Sequence, residues 1–499
     1  MSQSAAKQQP QPQGKKPQTA ITPTRAEDFP GWYQAVIKAA DLAENSPVRG
    51  CMTIKPYGYA LWENMVRIFD GWLKDYGIQN CAFPLLIPVS FLAKEAEHVE
   101  GFAKECAVVT HHRLEADPSG KGLRPAPSAE LEEPYVVRPT SETIIGDSMS
   151  RWVQSYRDLP LKLNQWCSVM RWEMRTRMFL RTSEFFWHEG HCAFADHEGA
   201  EKDCLTIQGM YEKFFLEYLA IPGIKGVKTP EERFPGANET YTIETLMQDG
   251  KALQAATSHD LGQNFAKSCN IKYQDKDGKE AFAHTTSWAF TSRMIGAMLM
   301  IHGDDDGMIT PPHIAPQQVV VIPVLKGEGD AAVLAACDDL AAQVKAAGYR
   351  IHVDARDMRT PDKMWDSIKK GVPIRVEMGA REIAEGKLTH VRRDLGRESK
   401  KTEAAADFVK NLPGLVQAMH DDMLARARKF LESNLVEVSS LAEMRAHFAD
   451  ESKGGFVRID TALTKDNPEF DAIKKDFAVT ARCLPFADKG AKVIVGRAY

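Results

Sequence analysis

The chain reads as an α+β protein in which an antiparallel-sheet domain is followed by two smaller α/β domains. Three observations predict this. Strand-like segments come in runs between residues 164 and 286 with helices set among them, a pattern that packs helices to one side of an antiparallel sheet. After Pro316 the pattern becomes β-branched runs alternating with helices, the mark of a small α/β domain with a partly parallel sheet. After Ala404 a helical stretch leads to a short strand before Tyr499. The length agrees, since 499 residues suggest roughly three domains at ~150 residues each.

The elements follow in order. Residues 1–24 are rich in Gln, Pro, Lys and Ser without hydrophobic periodicity, and are expected to be disordered. Residues 31–42 read as a first helix. Residues 59–76 read as a second, with Leu61, Met65, Ile68, Phe69, Trp72 and Leu73 at helical spacing. Residues 81–89 are apolar and broken by prolines, as an edge strand is, and residues 116–132 read as a Pro/Gly/Ser-rich surface excursion. Residues 164–195 form two strands joined by a short basic loop. Gln165, Arg171, Glu173 and Arg175 share parity in the first; Phe185, Trp187, Glu189 and His191 share it in the second. Alternate residues of a strand point the same way, so one sheet face carries guanidinium groups, carboxylates, an imidazole and aromatic rings. Buried together, such groups need mutual satisfaction. A face built for a charged, aromatic ligand accounts for them better than a purely structural polar face.

A helix over 198–219 follows, then strands at 252–256 and 281–286 and a helix over 287–302. In the second domain 318–324, 350–353 and 374–378 read as strands, and 331–347 and 365–370 as helices. In the third, 415–430 reads as a helix and 492–495 as a strand. Composition sets further limits. A net charge of −5 excludes a uniformly basic nucleic-acid binder but permits a local basic patch. Nine cysteines without a C-x-x-C pair indicate neither a zinc site nor a disulfide framework, and suit a reducing cytoplasm. No apolar run approaches the ~18 residues of a membrane span, and the N-terminus lacks a signal-peptide core. A cytoplasmic location is expected, with no membrane partner.

The segments Arg171-Trp172-Glu173, Phe179-Leu180-Arg181-Thr182-Ser183-Glu184-Phe185 and Trp187-His188-Glu189-Gly190-His191 closely resemble motif 2 of the class II aminoacyl-tRNA synthetases. Arg138-Pro139-Thr140-Ser141-Glu142-Thr143, Thr257-Ser258-His259 and Ser287-Trp288 narrow the resemblance to the prolyl-tRNA synthetases of archaeal and eukaryotic type. It covers essentially everything after the N-terminal tail. The resemblance implies a class II synthetase catalytic domain at 25–316, an anticodon-binding domain at 317–403 and a C-terminal domain of the same family at 404–499. It also implies that L-proline and ATP form prolyl-adenylate and pyrophosphate, and that proline then passes to the 3′ end of tRNA(Pro), releasing AMP. A carboxylate is already a competent nucleophile, so this chemistry needs alignment and charge neutralisation at phosphorus. An arginine fork meets that need better than lysine.

By the same likeness, Arg171 bridges the α-phosphate and the proline carboxylate. Glu173 accepts from the adenine amino group, Phe185 stacks on adenine, and Arg181 and Thr182 close the nucleotide loop. Arg293 resembles the motif 3 arginine, and Gln254 and Thr257 line the nucleotide site. The implied proline pocket is Phe102, Thr140, Glu142, Trp187, Glu189, His191, His259 and Ser287, together with Arg171. ATP implies Mg²⁺, with no dedicated protein cage visible. Pro84 resembles the motif 1 proline of the class II dimer interface, so a homodimer is implied. From Lys369 to Lys401 ten Lys/Arg stand against five Asp/Glu; Arg375, Glu377 and Arg381 are the candidates for reading an anticodon with guanines at its second and third positions.

The sequence departs from the family in places. Relatives often carry four zinc-binding cysteines in the C-terminal domain, whereas only Cys483 lies there, so no structural zinc is expected. Residues 193–283 leave no room for a large editing insertion. Ala289 and His313 stand where relatives commonly show Gly and Arg. The terminal Tyr499 fits the family, in which that residue tucks towards the active site. Two rival readings are a class II synthetase for another small amino acid and a catalytically degenerate tRNA-binding or regulatory paralogue.

Overall fold

The computed structural model describes residues 19–93, 105–327, 329–450 and 452–499. Most of the expected disordered tail lies outside these residues, but the expectation fails for residues 19–24. Ile21 is buried in the core, and the Ala20 N–H donates to Asp306 at 3.0 Å.

Two helices open the fold: α1, Phe29–Ala39, and α2, Pro56–Asp75, in which Leu61, Met65, Phe69 and Leu73 are buried while Ile68 and Trp72 are half-buried against the same core. The central sheet then forms from β1 (Gln79–Asn80), β2 (Leu161–Met170), β3 (Glu184–Phe194), β4 (Ile224–Val227), β5 (Glu239–Leu246), β6 (Ala252–Gly262) and β7 (His284–Thr291). Helix α3 (His197–Phe214) continues through a π turn at Phe215–Leu219, and α4 spans Arg293–His302. Three expectations change here. Residues 287–291 belong to β7, not to a helix, because β7 is a central strand paired with both β3 and β6. Residues 81–85 are irregular, and only Leu86–Pro88 forms an edge strand, beside Glu130–Val137. The excursion at 116–132 ends in that strand after a small hairpin, Leu114–Ala116 with Leu123–Pro125.

One sheet face is covered by α2 and α3. Phe69, Tyr211, Phe214, Phe215 and Phe290 pack there, with ring centroids 5.2–5.4 Å apart for Phe69 against Tyr211, Phe214 and Phe290. Gly190 is required on that face: a Cβ would lie 1.9 Å from the ring of Trp288, its cross-strand partner. The opposite face is left open for the site.

The second unit is a five-stranded sheet, β8 (Val319–Val324), β9 (Ile351–Val353), β10 (Ile374–Gly379), β11 (Lys387–Arg392) and β12 (Lys401–Ala404), in the order β9-β8-β10-β11-β12. Its β8 pairs are parallel and the rest antiparallel, which matches the expected partly parallel sheet. Helix α5, Ala405–Ser433, is longer than expected because it runs through Pro413 instead of starting after it. The C-terminal strands β13 (Leu435–Glu437), β14 (Phe456–Asp460), β15 (Val479–Pro485) and β16 (Lys492–Arg497) do not stand apart. Through β15–β4 pairing they extend the central sheet to eleven strands, ordered β13-β14-β16-β15-β4-β5-β6-β7-β3-β2-β1.

Candidate active site

Strand register builds the site. Glu189 on β3 pairs with Gln165 on β2 and Ala289 on β7, and Ala289 with Thr257 on β6, which pairs with Thr242 on β5. A second row, two residues along, joins His191, Ser287, His259 and Thr240. Cross-strand partners share a face, so polar side chains from five adjacent strands stand on one sheet face, and those of β3, β5, β6 and β7 line one cleft. The cleft encloses a cavity of about 530 Å³. Every residue assigned above to proline or nucleotide lines it except Phe102, which lies outside the described residues.

The parity reading holds for β3 and fails at the end of β2. That strand stops at Met170, so Arg171, Glu173 and Arg175 belong to a loop of thirteen residues before β3 resumes at Glu184. Arg171 and Glu173 still reach the cavity; Arg175 is exposed and gives its N–H to Glu173 at 2.9 Å. Arg171 is held by its Nε–H to the Pro139 carbonyl at 3.0 Å, with its guanidinium 5.5 and 5.4 Å from the Phe185 and Trp187 ring centres. Burial pulls its pKa down to about 10, with Glu142 opposing that pull, so it remains a cation at neutral pH. Arg293 begins α4 and donates Nε–H to the Leu180 carbonyl at 3.0 Å. Arg181 pairs with Glu173 at 2.5 Å on the exposed side of the loop.

At the other end lies a tightly bonded polar floor. Glu189 accepts from Ser141 at 2.5 Å, Gln165 at 2.6 Å and His191 at 3.0 Å. Burial works against its ionisation, but His191, Ser141 and Gln165 outweigh it and hold the carboxyl below its usual range. Burial likewise opposes a charge on His191, yet Glu189 raises its pKa above the ordinary value. Thr140 donates to Glu142 at 2.5 Å. His259 behaves oppositely: burial drives its pKa to about 3, so it is neutral, bonded to Thr240 at 3.0 Å and set against Phe234 at 4.6 Å. Tyr499 lines the cavity from two residues beyond the C-terminal strand, donating its hydroxyl to Asp249 with Arg177 5.3 Å from its ring.

The sequence reading did not include the wall made by Glu232, Phe234 and Thr240. The alternation Thr240, Thr242, Glu244 carried a signal for it, because three polar residues of one parity on a buried strand need a polar face. Ala289 sits in the pocket row, whereas His313 packs on His420 of α5 at 4.7 Å, away from the cavity. In the second unit Arg375 pairs with Glu377 at 3.2 Å, and Arg381 is exposed on the short helix Ala380–Ala384. The basic excess there is partly turned inward: Arg392 binds Asp394 and Asp422, and Arg393 binds Asp304 of the first unit. Among the described residues no three His, Cys, Asp or Glu are placed to hold a metal ion, and no helix is long and apolar enough to cross a membrane.

Comparison with known proteins agrees with this geometry. Residues 127–302 match the family described as the tRNA synthetase class II core domain (G, H, P, S and T), and residues 318–412 match the anticodon binding domain. A proline–tRNA ligase of Bdellovibrio bacteriovorus is 52% identical over 475 residues, 94% of each chain. One of Akkermansia muciniphila is 50% identical over 482 residues, 95% of each chain. Proline–tRNA ligase 2 of Anaeromyxobacter dehalogenans is 52% identical over 485 residues, 94% of each chain.

Proposed function

The chain belongs to the proline–tRNA ligases, class II synthetases, and from that membership we propose how its residues carry out the reaction. The activity is ATP-dependent ligation of proline to tRNA. The proline carboxylate attacks the α-phosphate of ATP, an O–P bond forms as pyrophosphate leaves, and a terminal ribose hydroxyl of tRNA(Pro) then takes the prolyl group from AMP.

Arg171 stands between the polar floor and the aromatic pair, which suits a bridge between proline carboxylate and α-phosphate. Its guanidinium stabilises charge at phosphorus without supplying a nucleophile. Phe185 offers a ring to adenine, and Glu173 offers a carboxylate to the exocyclic amine. Arg181 is more than half exposed in its pair with Glu173, and an exposed pair of this kind is weak, so Arg181 is available to turn to the phosphates alongside Thr182. Arg293 at the start of α4 takes the distal phosphates, and Gln254 and Thr257 border the nucleotide. Thr140 and Glu142 accept the two N–H bonds of the imino nitrogen. Trp187 packs on the ring methylenes, and Glu189, His191, His259 and Ser287 close the pocket. Mg²⁺ would arrive with ATP and would neutralise charge on its phosphates during the attack.

The single observation that carries this reading is that two cross-strand rows and both arginines converge on one cavity. Proline-dependent exchange of pyrophosphate into ATP tests it. Arg171→Ala is expected to lower that exchange by ~10³-fold or more while leaving tRNA binding largely intact; near-normal exchange would remove Arg171 from its role. Threonine- or glycine-dependent exchange in the wild type would favour the first rival reading, and no exchange at all the second.

Three finer assignments complete the proposal. The domains are 25–316, 317–403 and 404–499, the last folding without zinc around the cluster of Met444, Phe448, Val457 and Ile473. Arg375, Glu377 and Arg381 read anticodon bases. The protein works in the cytoplasm as a homodimer through the small sheet beside Pro84, where Leu85, Val89 and Val108 are exposed.

A further inference from the structure

An ionic cluster outside the residues assigned above stands on the same sheet face as the nucleotide end of the cavity. Glu244 on β5 is the direct partner of Gln254 on β6. Its carboxylate is fully buried. Oε1 accepts from Lys228 Nζ at 2.8 Å and Thr242 Oγ1 at 2.9 Å. Oε2 accepts from Arg482 Nε at 2.9 Å and Nη2 at 2.7 Å. Both cations are themselves buried, so within the hydrogen-bonded cluster two positive charges face one negative charge, with the Glu232 carboxylate in reach of both cations. Burial opposes ionisation of Glu244, but Lys228 and Arg482 overcome it and keep the carboxyl below its ordinary range.

A cluster like this is costly to build, and apolar side chains would join two strands at least as well. Docking of strands therefore does not account for it. Its position does. Arg482 comes from β15, the strand through which the C-terminal region meets the central sheet, and the cluster lies within electrostatic reach of Arg293 and Glu232, both of which line the cavity. We propose that Arg482 is a positioning residue for ATP: it fixes Glu244 beside Gln254 and, with Lys228, sets a buried positive charge behind the wall that the phosphates meet. The C-terminal region thereby contributes to the activation step itself. This rests on the prolyl-adenylate reading above.

The test uses the full-length protein in proline-dependent pyrophosphate exchange, with KM measured separately for ATP and for proline. Arg482→Gln is expected to raise KM for ATP ~10-fold or more, with KM for proline within ~2-fold of wild type. Arg482→Lys, which keeps the charge, should recover most of the loss. If Arg482→Gln does not fold, Lys228→Gln removes one positive charge from the same cluster while leaving Glu244 gripped by Arg482, and the same split is expected. Equal rises in both KM values, an unchanged KM for ATP, or no recovery by lysine would overturn the proposal. A wild type without proline-dependent exchange would instead overturn the reading on which it rests.

Discussion

Glu189 keeps its negative charge with only 2% of its surface exposed, because Ser141, Gln165, His191 and the Cys167 thiol all donate to it. The contact with His191 raises the pKa of that partner against the effect of burial, so the two ionisations depend on one another. The signs of the shifts set the pH window. His191 has a raised pKa, so its contribution is complete below the unfolded value near 6.5 and is lost as pH rises through the elevated folded value. Glu189 has a depressed pKa, so its contribution is present above about 4.5 and is lost as pH falls through the lower folded value. KM for proline should therefore be lowest between these limits and climb on the alkaline side. His191→Gln, which cannot titrate, should flatten that alkaline limb in a pH profile of pyrophosphate exchange. An unchanged limb would show that another group sets it.

Among elements, β4 carries more than its four residues suggest. It is the link between the catalytic strands and the C-terminal strands, and Gly226 makes that link possible. A Cβ there would lie 2.3 Å from the Leu484 carbonyl oxygen, a backbone atom that cannot move aside without breaking the pairing. Gly226→Ala is expected to cost ~1–3 kcal/mol and to loosen Arg482 from Glu244, visible as a lower melting temperature and weaker exchange. Gly209 on α3 is the control, since an added Cβ meets nothing within 4 Å. Gly209→Ala should stabilise by up to ~1 kcal/mol through helix propensity alone. If both variants melt alike, the close approach at Gly226 does not matter to the fold.

At the scale of the whole molecule, the exposed apolar side chains around Pro84 support the proposed homodimer. Leu85 is 49% and Val108 52% exposed, the first just before and the second within one small sheet formed by Leu86–Pro88, Glu130–Val137 and Val108–His111. Sedimentation should give twice the chain mass of 55.6 kDa. The double variant Leu85→Asp, Val108→Asp should shift it towards the single chain, because burying two unpaired carboxylates outweighs the area gained. A wild type that sediments as a monomer at micromolar concentration would end the homodimer assignment.

The sequence by itself determined what repeats along the chain: the helical period of α2, the alternation of β3, the β-branched run of β8 and the ordered motifs that name the family. These are local, and side-chain direction follows from local geometry once an element exists. Arg171 and Glu173 reach the cavity although the parity argument does not hold for them, since they lie beyond the end of β2. Their place is set by the Pro139 carbonyl and by Arg181. The helix expected from residue 287 became the central strand β7 because two neighbouring strands offered hydrogen bonds that local propensity could not anticipate. Only the tertiary structure decided that the C-terminal strands would join the catalytic sheet, and that Arg482 would find Glu244 across 238 residues of chain. Pairings at such separation depend on how whole strands meet, and short-range pattern carries no record of them.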